Sequence, residues 1–222
     1  MTKIAETSSR FAEPARDCAY CPRLAAFRTA NRKAYPGFFN APVPAFGAMN
    51  ARLLIVGLAP GLKGANRTGR PFTGDYAGDL LYATLLKFGF ARGGYDKRPD
   101  DGLSLVDCRV TNAVRCVPPE NKPTPEESRT CRDNFLVAEI AAMPKLAAIM
   151  ALGQIAHNEV LKALGERRAT FPFKHGAVHR LAKCALADSY HCSRYNTNTG
   201  VLTPAMFESV FAALRNKLDR GA

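Results

Sequence analysis

Four short apolar runs, each followed by a polar loop and then a helix-like stretch, constrain this chain most. They lie at residues 52–57 (RLLIVG), 105–114, 146–152 and within 180–190. The first, ending in Gly57, reads as a buried parallel strand, and the other three read as strands. The stretches between them carry helical signals. Residues 75–90 place Leu80, Leu81, Leu85 and Phe88 along one helical side. Thr124, Pro125 and Glu127 form an N-cap, a first-turn proline and a capping-box acid. Residues 154–164 form another helix. Thr203-Pro204 opens a last amphipathic one, with Met206, Val210, Phe211, Leu214 and Leu218. Strand, loop and helix repeated four times predict a parallel sheet with helices on both faces. Residues 22–50, rich in Pro, Gly, Phe and Asn, read as an irregular arm, and 91–103 as a polar loop. The 222 residues suit a single domain over 1–222.

In such sheets ligands bind beyond the carboxyl ends of the strands. Three loops fall at that edge: 57–75, 112–123 and 191–200. The first is long and dense in Gly and Pro, and loops of that length are usually functional.

The chain has 31 Lys and Arg against 19 Asp and Glu, a net charge of +12. An excess of that size suggests a polyanionic partner, although a merely basic soluble protein would show it too. The longest uncharged apolar run, 146–152, is far too short to span a bilayer. The N-terminal stretch MTKIAETSSRFAEPARD has no signal-peptide-like run. A cytoplasmic location follows as the expectation.

Seven cysteines, an odd number without a secretory signal, argue against a complete disulfide framework. Cys18 and Cys21 form a C-x2-C followed by Pro22-Arg23, and Cys116 and Cys131 have fourteen residues between them. C-x2-C puts two thiolates on one turn, and a second pair completes four ligands for zinc or an iron–sulfur cluster. The same C-x2-C could instead be a redox pair. Cys108 and Cys184 lie in apolar segments and read as small buried hydrophobes.

The three loops read GLAPGLKGANRTGRPFTGD, TNAVRCVPPENKP and HCSRYNTNTG. In that order, with C-x2-C-P-R-L before them and Cys131 after the second, they resemble the signature blocks of the family 5 (type B) uracil-DNA glycosylases. The resemblance covers residue 18 to about 203. It implies a three-layer α/β/α sandwich around a four-stranded parallel sheet. It implies a structural [4Fe–4S] cluster on Cys18, Cys21, Cys116 and Cys131. It also implies excision of uracil, and of other deaminated bases such as hypoxanthine, from double-stranded DNA in a prokaryotic, nucleoid-associated setting. One site suffices for a monomer.

A base inside a duplex is out of reach, so such an enzyme flips it into a pocket. Phe72 matches the family's stacking aromatic. Gly57, Ala59 and Gly61 would let the backbone approach the base. Asn112 could read its Watson–Crick edge. Breaking the N-glycosidic bond builds positive charge on the sugar and negative charge on the base. The position directly after the first Gly, polar in related families, is Leu58 here. The resemblance therefore puts the carboxylate at Asp75, which could equally be a helix N-cap. Asn121 matches the second polar position, beside the attacking water, and His191 the histidine that donates to a base oxygen. Arg67, Arg70, Lys122, Ser193, Arg194 and Tyr195 are the implied DNA contacts. The loop 193–200 is expected to enter the minor groove, with Arg194 and Tyr195 as phosphate contact and wedge.

The third block departs from the family in having Cys192 where proline usually follows the histidine. A Cys beside a His also raises a nucleophile reading, but neighbours on a strand point to opposite faces. His157 reads as surface or satisfied core, and His175 and His179 have no assignment. No lysine occupies a clear Schiff-base position; Lys122 is the nearest to one. Hydrolysis to an abasic site is the expectation. The alternative is a non-catalytic nucleic-acid-binding module with a structural metal.

Overall fold

The computed structural model describes residues 11–220; the first ten residues of the N-terminal stretch lie outside them. A helix, α1 (Pro22–Ala34), leads into a short strand, β1 (Phe46–Gly47), and then β2 (Leu53–Gly57). The Gly-rich loop contains one helical turn, α2 (Ala65–Thr68), and feeds α3 (Tyr76–Lys87). A two-residue ribbon, β3 (Ala91–Arg92) with β4 (Ser104–Leu105), precedes β5 (Cys108–Asn112). Helix α4 (Pro125–Cys131) runs through one wide turn, Arg132–Leu136, into α5 (Val137–Ala142). There follow β6 (Ala148–Leu152), α6 (Gln154–Ala163), β7 (Val178–Arg180), β8 (Ala185–Ser189), α7 (Arg194–Asn198) and α8 (Pro204–Arg220).

The main sheet runs β1-β5-β2-β6-β8-β7. Its inner four strands are parallel and wholly buried, and they lie within the four apolar runs. Six strands replace the expected four because β1 and β7 pair antiparallel at the edges. These are two and three residues long and partly exposed, so they carry no apolar run to announce them.

Side chains alternate between two helical layers. Leu53, Ile55, Val110 and Met150 face α3 and α8, meeting Leu81, Leu85, Phe207 and Phe211. Leu54, Val56, Ile149 and Leu186 face α5 and α6, meeting Ile140 and Val160. Each such side chain contributes about 1.5–3 kcal/mol by burial. The result is an α/β/α sandwich. Among the described residues, no helix is long and apolar enough to cross a membrane.

The arm is a correction. Residues 22–34 of the expected irregular 22–50 segment form α1, with Pro22 in the first turn and Leu24, Arg28 and Asn31 buried. Proline is well tolerated there because that N–H has no helical partner to lose.

A buried ionic cluster ties the N-terminal segment to this frame. Glu139 of α5 accepts from Arg109 of β5 and from Arg115, and Glu13 accepts from the same two arginines at 3.0 and 2.9 Å.

Candidate active site

The carboxyl ends of β2, β5 and β8 open on one cleft of about 620 Å3. Its lining brings together Ala59, Gly61, Phe72, Asp75, Asn112, Asn121, His191, Ser193 and Arg194. All three loops of the sequence reading contribute.

The N-cap place of Asp75 and its place in the cleft are compatible. It is the N-cap of α3, accepting from the Gly78 N–H at 3.3 Å, and its side chain lines the cleft. Burial raises its pKa above the usual carboxylate value, partly offset by N–H donors from Gly78 and Ala77. The approach is close: a Cβ on Gly64 would sit 2.2 Å from Asp75 Oδ2. Asn121 lies across the cleft in the tight turn Pro119–Asn121, at φ +57°.

His191 follows β8, its ring 6.0 Å from that of Phe72. Burial lowers its pKa, so the ring is a neutral donor at neutral pH. Asn112 ends β5, is only 3% exposed, and its Oδ1 has no partner among the described residues. A buried amide oxygen without a partner, on a residue that lines a cleft, is an acceptor that a ligand N–H could satisfy.

Gly57 has a different role from the expected one. It is absent from the lining, and a Cβ there would meet the Phe72 ring at 2.5 Å and Asn112 Oδ1 at 2.4 Å. Its missing side chain lets those two groups pack together.

Arg70 is a correction too. It is 4% exposed and gives a two-pronged ion pair to Asp101 at 2.8 and 2.7 Å, so it has no free face for a phosphate. Arg67 is exposed beside the cleft, donating to the Gly74 carbonyl at 3.0 Å. Lys122 is exposed but outside the lining, whereas Lys63, which the sequence reading passed over, lies within it.

The third loop is not extended: Ser193 caps α7 by accepting from Asn196 N. That turn presents Tyr195, 75% exposed, and places Arg194 over the Tyr76 ring at 5.3 Å. Cys192 turns away from the cleft. It is fully buried, its Sγ donates to the Ala77 carbonyl at 3.5 Å, and burial pushes its pKa up to about 12. A thiol held protonated there is no nucleophile.

Cys18, Cys21, Cys116 and Cys131 surround a second, mostly apolar cavity with Leu24, Val114 and Phe135. Burial raises the pKa of Cys21, and takes Cys116 to about 11 and Cys131 to about 12. Arg28 donates to Cys116 Sγ at 3.5 Å, and the Arg115 N–H to Cys131 Sγ at 3.3 Å. Four thiols with a guanidinium and an N–H aimed at their sulfurs suit a metal centre that binds them as thiolates.

His157, His179 and Asp188 also meet, but not as metal ligands. His157 Nδ1 lies 2.6 Å from Asp188, whereas two ligand atoms on one tetrahedral ion would be about 3.3 Å apart. The other His157 nitrogen donates to the Phe171 carbonyl at 2.9 Å, which leaves it a satisfied core residue.

The model of the uracil DNA glycosylase superfamily matches residues 44–215. A type-5 uracil-DNA glycosylase of Thermus thermophilus is 45% identical over 199 residues, 87% of this chain and 90% of that protein. The chain belongs to the type-5 uracil-DNA glycosylases. One of Pyrobaculum aerophilum is 41% identical over 191 residues, 84% of this chain and 83% of that protein. A type-4 uracil-DNA glycosylase of the same organism is 36% identical over only 126 residues, 56% of each chain. Leu58, where related families carry a polar group, therefore sits in a type-5 chain, with Asp75 and Asn121 as the polar groups nearby.

Proposed function

We propose that the cleft receives a uracil flipped out of double-stranded DNA, and that Asp75, Asn121 and His191 carry its hydrolytic release. The observation that carries this reading is the convergence of a buried carboxylate, an unpaired amide acceptor and a neutral imidazole around one aromatic ring. Phe72 stacks on the base. Asn112 accepts from the base N3–H, and His191 donates to a pyrimidine carbonyl oxygen.

As the C1′–N1 bond breaks, its electron pair stays on the base and positive charge grows on the sugar. The His191 donor spreads the first charge, and the Asp75 carboxylate faces the second. Water, oriented by Asn121 and Asp75, adds its oxygen to C1′ and passes its proton to the Asp75 carboxylate, and an equivalent proton neutralises the uracil anion. Free uracil and an abasic site result, for completion by base excision repair.

At about 620 Å3 the cleft has room for a purine, which supports acceptance of hypoxanthine. Tyr195 fills the gap in the duplex, with Arg67, Lys122, Ser193 and Arg194 on phosphates. One chain holds every group required, so the acting unit is a monomer, working in the cytoplasm where the chromosome lies.

The test is excision from labelled duplexes holding one uracil or one hypoxanthine, followed by alkali. Strand breakage on both duplexes that needs the alkali is the expected result. Breakage without alkali would indicate lyase chemistry and redirect attention to Lys63. Protein that binds the duplex and releases no base would leave the binding-module reading.

The four cysteines are assigned to a [4Fe–4S] cluster that fastens α1 and the N-terminal segment to α4. Its role is structural, and no reacting group depends on it chemically. Purified protein is expected to absorb near 400 nm and to hold about four irons per chain, with both lost in Cys116→Ala. A colourless protein carrying one zinc would overturn the iron assignment.

A further inference from the structure

Phe72 adopts φ +53°, in the left-handed region that a bulky side chain avoids. Within residues 71–73, Thr73 Oγ1 donates to the Pro71 carbonyl at 3.2 Å. The other groups that hold the turn come from elsewhere. Tyr82 of α3 donates its hydroxyl to the Pro71 carbonyl at 2.6 Å, and Tyr95 donates to the Phe72 carbonyl at 3.3 Å. The two rings pack at 4.6 Å between centroids.

Arg70 locks the pair in place. Its guanidinium lies 5.4 and 5.8 Å from the centres of the Tyr82 and Tyr95 rings and 5.2 Å from that of Phe46. It is forked on Asp101 and donates through Nε to Thr73 Oγ1 at 2.8 Å. A Cβ on Gly78 would fall 1.8 Å from the Phe72 oxygen and 2.4 Å from the Tyr95 hydroxyl, so the first turn of α3 is pressed against the same point. Arg70, Tyr82, Tyr95 and Asp101 all lie outside the cleft lining.

We infer that Tyr82 and Tyr95, locked by the Arg70–Asp101 pair, are positioning residues for base excision: they hold Phe72 in its left-handed conformation and so set the floor of the base pocket and the direction of Asp75. This rests on the reading of Phe72 as the base-stacking ring. It gives segment 91–103, a bare polar loop in sequence, a purpose: it delivers Tyr95 and Asp101 to the turn 70–73. Burial keeps both phenols protonated, Tyr95 with a pKa pushed up to about 12, so they remain donors across the working range. Displacing a stacking ring or a catalytic carboxylate by a fraction of an ångström lowers the rate without removing any DNA contact.

The test compares wild type with Tyr95→Phe, the Tyr82→Phe/Tyr95→Phe double variant and Phe72→Ala. Single-turnover uracil excision at saturating enzyme is measured beside duplex binding by fluorescence anisotropy. The double variant is expected to lose about tenfold or more in maximal rate, while its Kd stays within about twofold. Tyr95→Phe should show a smaller loss of the same kind. A scaffold role alone would lower the melting temperature and leave the maximal rate of folded protein unchanged, which overturns the proposal. So does a Kd that weakens as much as the rate. If Phe72→Ala excises at the wild-type rate, the stacking reading fails first. If Phe72→Ala is slow and the double variant is not, the clamp fails alone. Should the double variant not fold, Tyr95→Phe decides by the same two measurements.

Discussion

Asp75→Asn is expected to slow uracil excision by about 10²–10⁴-fold while leaving the protein almost as stable as wild type. The two consequences separate because Asp75 does two jobs with one side chain. As N-cap of α3 it accepts from the Gly78 N–H, and an asparagine oxygen accepts nearly as well. As the carboxylate of the cleft it supplies negative charge, which asparagine lacks. Asp75→Ala loses both: the same slowing, plus about 1 kcal/mol of stability from the uncapped helix.

The pH profile supplies the second half of the prediction. Burial raises the Asp75 pKa, so the active carboxylate is lost as pH falls through a value above the usual 3.8. A carboxyl whose folded pKa is raised favours the folded state more once protonated, so this group's contribution to stability grows as pH falls. Rate and stability therefore move in opposite directions on the acid side, and loss of activity there is not unfolding driven by Asp75. The limb should be missing from Asp75→Asn. A variant with the wild-type rate and an unchanged acid limb would sink the assignment.

What the sequence disclosed follows from where free energy is local. The inner strands were legible because they are buried on both faces: β2 and β6 are almost wholly apolar, and β5 and β8 lie in segments rich in apolar residues that also hold Arg109 and Asp188. Edge strands β1 and β7 are half-exposed and short, and β1 finds its partner, β5, far along the chain, whereas β7 pairs with β8 just after it. Helix α1 was hidden because Pro22, a good first-turn residue, adjoins a Pro- and Gly-rich stretch that coloured the whole segment.

The candidate site divides the same way. Asp75 and His191 were singled out by the resemblance of their loops to the family blocks, and Asn112 by its place at the end of the second strand. Arg70 was misread. In its own loop it looks like a phosphate ligand beside Arg67, and only Asp101, 31 residues later, shows that its charge is already matched. Gly57 was singled out correctly as a place of close approach, but Phe72 and Asn112 make that approach.

The buried ionic cluster had no sequence signal, and removing its centre should be the most damaging single change to stability. Glu139→Ala leaves Arg115, 1% exposed, and the buried Arg109 with the half-exposed Glu13 as their one shared carboxylate, Arg109 keeping its bond to the Gly47 carbonyl. A buried ion pair broken on one side costs about 3–5 kcal/mol, because the remaining charge keeps its desolvation penalty. For a chain of this length that is a fall in melting temperature of about 6–20 °C. The loss should reach the cysteine cavity as well. The Arg115 N–H bonds Cys131 Sγ, and Cys116 is the next residue, so absorbance near 400 nm should fade at a lower temperature than in wild type. Arg109→Met/Arg115→Leu/Glu139→Leu separates charge from packing: with no bare arginine left, much of the stability should return. Urea titrations read by circular dichroism and by the visible band would measure all three proteins. A Glu139→Ala protein within about 1 kcal/mol of wild type would mean that water or Glu13 alone satisfies both arginines.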